Sequence, residues 1–466
     1  MSSPTTRAGD AAAGTAARGA RPGAVFAVVA AGVAMSNLDM FIVNVALPRI
    51  GERYAGAPLS ELSWVLNAYA VVFAALMVPA GGFADRTGPR RAYLLGLAVF
   101  TAASVACAVS PGVWTLVAAR AVQAAGAALL VPSSLGLLLA ATPPPRRPAA
   151  VRGWTAVSGL ADLLGPVAGG LLTQFDWRWV FLINVPIGLA VLAAGARLLP
   201  RPPARADGTR PDLPGAALLT AGIAALALGV VRSDDWGWTA ARVAGCLASA
   251  AELLALCARR SARHPSPVVP PGLLRLPGFG PATVAGVLFS VAFAAMLLSA
   301  VLWCQQIWHW QALRTGLAIA PGPLMVPALA VGAAPLARRL GAGPLSFLGC
   351  AVFAAGIGWW MWRVEDGYAA GMLPGMLLTG VGVGLTLPTL IGAAVSAVPP
   401  QGFSTGSAVV TMARQIGTVL GVAMLVALLG AGGPGAVSFD TGWLGTALAA
   451  AAAALACLTL PRPRRP

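Results

Sequence analysis

The sequence predicts an all-α, polytopic membrane protein with fourteen transmembrane helices. Three observations lead there: the apolar content, the recurrence of long apolar runs, and the placement of arginine and tryptophan. Apolar residues make up 58% of the chain and charged residues 10%, where a soluble domain carries about 25% charge. Mean hydropathy is +0.79. Apolar runs of about 18 residues or more recur from Val25 to Leu460, each able to cross a hydrocarbon core of about 30 Å. A division of the 466 residues into soluble domains is excluded.

Pro, Gly and Arg clusters mark the loops between the runs. Residues 1–23 are small and polar, and are expected to form a disordered tail. The next stretch runs on to Pro48, too long for the apolar region of a signal peptide. It is the first expected span, 24–48, followed by 62–82, 92–109, 113–140, 151–173 and 178–199. Spans seven and eight cover 213–231 and 239–258. The rest cover 281–303, 315–336, 344–362, 369–393, 404–430 and 441–460, with a short tail at 461–466.

The charge balance is 31 basic against 15 acidic residues, formally +16, and every basic residue apart from two histidines is Arg. A nucleic-acid binder would gather such charge on one face, whereas here it falls in small groups between spans. With both termini cytoplasmic, 22 of the 31 Arg lie in inner segments and 7 in outer ones. Thirteen of the 14 Trp fall at outer ends or loops, and only Trp154 lies inside. Arg-rich and Trp-rich loops that alternate are what a correctly phased set of spans gives. The expected location is the bacterial inner membrane.

The six cysteines lie in apolar segments without metal-like spacing, and His264 and His309 sit in loops without metal-like company. No cofactor is expected. Without Lys there is no Walker A motif, so ATP cannot drive this chain directly and an ion gradient must. No nucleophile–base pair is visible, so no enzyme activity is expected.

After the second span comes GGFADRTGPRR, residues 81–91. Gly81 and Gly82 allow close helix packing, and Gly88-Pro89 forces a turn. Asp85, with Arg86, Arg90 and Arg91, makes a charged hinge whose carboxylate can bind a neighbouring helix N-terminus or pair with Arg. Four other stretches accompany it: SNLDMFIVNVALP (36–48), LVAARAVQAAG (116–126), GWTAVSGLADLLGPVAGGLLTQFDWRWVFLIN (153–184) and STGSAVVTMARQIGTVLGVA (404–423).

With these motifs the chain resembles the fourteen-helix drug:proton antiporter branch of the major facilitator superfamily. The resemblance implies two six-helix bundles, 24–199 and 281–460, joined by a linker, 200–280, that carries two inserted helices. It also implies export of a lipophilic small molecule against protons. The bundles would rock about a midplane site, without nucleic-acid partners and as a monomer. The hinge counterpart in the second bundle, APLARRLGAGP (334–344), keeps Arg338 and Arg339 but lacks the Asp. Charge locking at the inner surface should therefore be asymmetric.

Ionisable residues inside a membrane are costly and functional by default. Asp39 is expected near the outer half of the cavity. Burial disfavours its charged form and a nearby guanidinium favours it, so it can load and release a proton. It could equally attract a cationic substrate or make a structural ion pair. Arg120 stays charged and must face a partner or water; the resemblance links it to proton coupling. Gln123 shares its helix face, and Asn44 belongs to the first-span signature. Asp162 departs from the family motif: it is either a second protonatable or substrate-facing group or an accommodation to polar neighbours. Gly165-Pro166 and Gly169-Gly170 bend the helix and allow close contact, and the resemblance associates them with antiport rather than symport.

Arg414 and Gln415 either shape the cavity wall or satisfy carbonyls. Glu252 is expected to pair with Arg259 or reach the membrane surface. No acid stands in the tenth or thirteenth span, so strong preference for dications is not expected. A symporter importing a nutrient and a non-transporting receptor or scaffold are the competing readings.

Overall fold

The computed structural model describes residues 22–461 apart from 55–58, 63, 202–211, 233–235, 238–239, 266, 311 and 431–438. Both expected tails lie essentially outside these residues. Helix dominates, and no strand occurs among the described residues.

The first six expected spans fall on α1 (Pro22–Arg53), α2 (Trp64–Thr87), α3 (Pro89–Ala108), α4 (Val113–Ala141), α5 (Arg147–Leu172) and α6 (Asn184–Leu198). A short helix, Trp179–Leu182, leads into α6. The inserted pair are α7 (Leu213–Val231) and α8 (Ala241–Ser261). Then come α9 (Phe279–Leu302), α10 (Pro321–Gly332), α11 (Ala342–Arg363), α12 (Leu373–Ser396), α13 (Phe403–Gly430) and α14 (Phe439–Cys457). Eleven helices among the described residues are long and apolar enough to cross a membrane.

Several expectations need correction. The tenth interval is not one helix: α10 is flanked by Ala312–Ile319 and Ala334–Leu340. Pro321 and Pro335 stand in the first turns of α10 and of Ala334–Leu340, where the donor each lacks cannot tie its piece to the one before, while Pro327 is carried inside α10. Conversely, the hinge after the second span is mostly helix. Residues through Thr87 remain in α2, and the chain turns only at Gly88, whose φ of 98° suits glycine, before Pro89 starts α3.

Packing falls into two groups. Within the first, α1 packs on α4, α5 and α6, α2 on α4, and α3 on α4 and α6. Within the second, α9 packs on α12, α13 and α14, α11 on α12 and α14, and α10 on α12. Helices α7 and α8 pack on each other, and α7 lies along α2, where Thr220 Oγ1 donates to Ala75 O at 3.3 Å. Across the groups, α2 and α4 meet α13, and α5 meets α10 and α12. Small residues permit these approaches: a Cβ on Gly165 of α5 would fall 2.5 Å from Phe41 Cβ of α1. Gly169 is buried. Gly170 has nothing within 4 Å of such a position, so it makes no close contact.

Asp212 joins the inserted pair. It caps α7 by accepting from Gly215 N at 2.9 Å and binds Arg260 Nε of α8 at 2.6 Å. Glu252 is exposed on α8, and among the described residues the ion pair on that helix is Arg260–Asp212, not Glu252–Arg259.

Candidate functional site

Four helices of the first group place polar side chains around one carboxylate. Asp39 of α1 is 0% exposed, and Arg120 of α4 is 1% exposed. Arg120 Nη1 donates to Asp39 Oδ2 at 2.5 Å and to Gln123 Oε1 at 2.7 Å. The spacing of Arg120 and Gln123, three residues apart, puts both on one face of α4. Gln123 Nε2 donates to Asp39 Oδ1 at 2.9 Å and to Ser104 Oγ of α3 at 2.9 Å. Asn184, the first residue of α6, donates to the same Asp39 oxygen from Nδ2 at 2.6 Å. Arg120 Nε reaches the Val65 carbonyl of α2 at 3.2 Å, and its guanidinium lies 4.2 Å from the Tyr69 ring centre. Tyr69 Oη and Ser36 Oγ are 3.3 Å apart.

Asp39 is therefore caged by α2, α3, α4 and α6 rather than facing an open cavity. A permanently charged arginine in an apolar bundle demands a counter-charge and filled hydrogen-bond capacity, and the cage supplies both. The structure brings Asp39 together with Arg120 and Gln123, where the sequence alone puts only Gln123 beside Arg120 and leaves an ion pair of Asp39 as an alternative. Asn184 and Ser104 complete the cage and were not singled out from sequence. The usable signal was an amide at the end of the FLIN stretch, a group that needs partners once buried. The side chains of Asn44, Asp162 and Pro166 lie outside the described set. Arg414 and Gln415 are half-buried on α13.

The hinge forms a second locus. Asp85 Oδ1 accepts from Ser404 N at 3.0 Å and Asp85 Oδ2 from Thr405 N at 2.7 Å. These are the unpaired donors at the start of α13, where the helix field also favours an anion. Gly81, one turn earlier, lets the helices meet: a Cβ there would fall 2.6 Å from Ala408 Cβ. Gly82, by contrast, has nothing within 4 Å and is not part of the contact. Arg147 of α5 stacks over the Phe403 ring at 4.9 Å and donates to the carbonyls of Leu139 and Thr142, each at 3.3 Å. Arg86 is half-buried and Arg91 exposed, while Arg90 turns to the Ala196 carbonyl at 2.5 Å. Arg90 thus turns away from Asp85, whose carboxylate is taken by the backbone amides of α13. On the opposite hinge Arg339 is exposed, and the side chain of Arg338 lies outside the described set.

Two helix groups joined by a carboxylate-to-helix latch, with a caged ion pair inside helices apolar enough to cross a membrane, are the architecture of a multi-span membrane protein of the transporter class. The chain belongs to the Major Facilitator Superfamily, which it matches over residues 29–422. It is 33% identical to the methylenomycin A resistance protein of Streptomyces coelicolor, over 87% of this chain and 86% of that one. It is 36% identical to the cephamycin export protein CmcT of Amycolatopsis lactamdurans, over 85% and 83%. The solved human organic anion transporter MFSD10 shares the fold at TM-score 0.66 and 17% identity, covering 94% of this chain and 98% of that one. Relatives named for antibiotic resistance and export agree with the branch that the motifs resemble.

Proposed function

We propose that this protein is a proton-coupled exporter of amphipathic small molecules, antibiotics or related secondary metabolites among them. The observation that carries the reading is the Asp39–Arg120 pair, buried in a cage of exchangeable hydrogen bonds. A fully enclosed carboxylate with a fixed cation beside it holds its charge at a cost in desolvation. Opening the cage to water lets it take up or lose a proton. One charge moving across 100 mV supplies about 2.3 kcal/mol, to which a pH gradient adds.

In this reading the chain has fourteen membrane helices in two six-helix bundles, 24–199 and 281–460, with 200–280 inserted between them. Both termini face the cytoplasm and the protein works as a monomer. The Asp85 latch at the start of α13, assisted by Gly81 and Gly88, closes the cytoplasmic side while the outer side opens. Protonation of Asp39 weakens its hold on Arg120 and shifts the bundles toward the inward-facing state, the alternating-access behaviour of two rocking halves. Gly165 with Phe41 is a sliding contact between α5 and α1. Asn44, Asp162 and Arg414 belong to the substrate path.

Inverted vesicles test the direction. Substrate uptake driven by an acid interior supports export, and loss of preloaded substrate under the same gradient contradicts it.

A further inference from the structure

Asn184 is fully buried. Its Nδ2 is used twice, on Asp39 Oδ1 at 2.6 Å and on Ser104 Oγ at 3.4 Å. Its Oδ1 is buried without a hydrogen-bond partner. Buried amide oxygens are normally satisfied, so this acceptor, beside a carboxylate, asks for an explanation.

A neutral Asp39 needs an acceptor for its own O–H, and the cage offers few. Arg120 has only donors. Gln123 Oε1 is taken by Arg120 Nη1 at 2.7 Å and by Cys107 Sγ at 3.8 Å. Ser104 gives its proton to Phe100 O at 2.8 Å and accepts from Gln123. Among the described side chains of the cage, the acceptor left unused next to Asp39 is Asn184 Oδ1.

We infer that Asn184 is a positioning residue whose carboxamide turns over when Asp39 gains or loses its proton. With Asp39 ionised, Nδ2 donates to Oδ1 of the carboxylate, as observed. When a proton from water on the open side binds that oxygen, a half-turn of the carboxamide brings Asn184 Oδ1 round to accept the new O–H. Release to water on the other side reverses the turn. The turn also gives up the 3.4 Å hydrogen bond from Asn184 Nδ2 to Ser104 Oγ; no covalent bond other than the O–H forms or breaks, and Arg120 keeps its charge throughout. The other titratable groups facing the pair are Tyr69 from α2 and Cys107 from α3; on α5 the side chain of Asp162 is outside the described set. This inference rests on Asp39 being the proton carrier.

The chain has four asparagines, Asn37, Asn44, Asn67 and Asn184, so asparagine labelled with nitrogen-15 in its side chain gives four amide pairs by NMR. Asn184→Ser assigns the pair of interest. In the purified wild-type protein that pair should move with pH in one transition, and the movement should vanish in Asp39→Asn. Export by Asn184→Leu should fall about tenfold, the size of one charge-assisted hydrogen bond. Asn184→Ser, whose hydroxyl both donates and accepts, should recover part of it. An Asn184 pair that ignores pH, while Asp39→Asn still abolishes substrate-triggered proton release, overturns the switch and leaves the coupling reading standing. Proton release that survives Asp39→Asn overturns the coupling reading itself.

Discussion

Arg120 Nη1 stands 2.5 Å from Asp39 Oδ2, with neither side chain more than 1% exposed. The pair spans α1 and α4 and is the most deeply enclosed ion pair among the described residues. Enclosure makes removing one partner costlier than removing both. Arg120→Met strands a buried carboxylate and should cost about 3–5 kcal/mol of stability. Asp39→Asn/Arg120→Met removes both charges and should recover much of that loss. Thermal unfolding in detergent compares them. A double variant no more stable than Arg120→Met would show that the pair is not an energetic unit.

The latch between Asp85 and the start of α13 should hold one conformation. Asp85→Ala leaves the amides of Ser404 and Thr405 without their carboxylate acceptor and should raise the population open at that end. In a cysteine-free background, a cysteine at Ser407 should react with a maleimide several-fold faster in Asp85→Ala than in the otherwise wild-type chain. Unchanged reactivity would mean that other contacts keep the end shut.

Gly81 makes the same closure possible by geometry. A Gly81→Leu side chain has no room beside Ala408 and the Ser404 carbonyl, so the halves cannot close there. The expected result is loss of export with protein still in the membrane. Gly82→Ala, where nothing lies close, should transport like wild type. Equal effects of the two substitutions would remove the close-contact explanation.

The clasp between the inserted helices carries a pH prediction. Burial on its own raises the Asp212 carboxyl, but the bonds from Arg260 and Gly215 N–H outweigh it and hold the group below the usual carboxylate range. A carboxyl with a depressed folded-state value stabilises at pH above its ordinary value, and that stability is lost as pH falls through the folded-state value. Asp212→Asn should therefore lower the melting temperature at neutral pH, and the gap to wild type should close in acid. A gap independent of pH would assign the effect to the cap rather than the charge.

Much of the fold was legible because apolar runs, arginine and tryptophan report on the same bilayer from independent directions. Helix starts and ends follow Pro and Gly signals closely, as at Gly88-Pro89. The tenth interval misled because hydropathy registers apolar character and is blind to the backbone donors that its prolines remove. At the site, Asp39, Arg120 and Gln123 stood out as polar groups in apolar runs. Asn184 did not, because its role depends on α6 returning beside α1, a contact 145 residues apart in the chain. The latch partner was equally hidden: Ser404 and Thr405 act through backbone amides, which carry no side-chain signature.

In the proposed function Asp39 exchanges its proton for substrate. The most direct test measures proton release from purified protein in weakly buffered detergent when a transported substrate is added. Release is expected from the wild-type protein, none from Asp39→Asn, and substrate binding retained in that variant. Undiminished proton release from Asp39→Asn would contradict it.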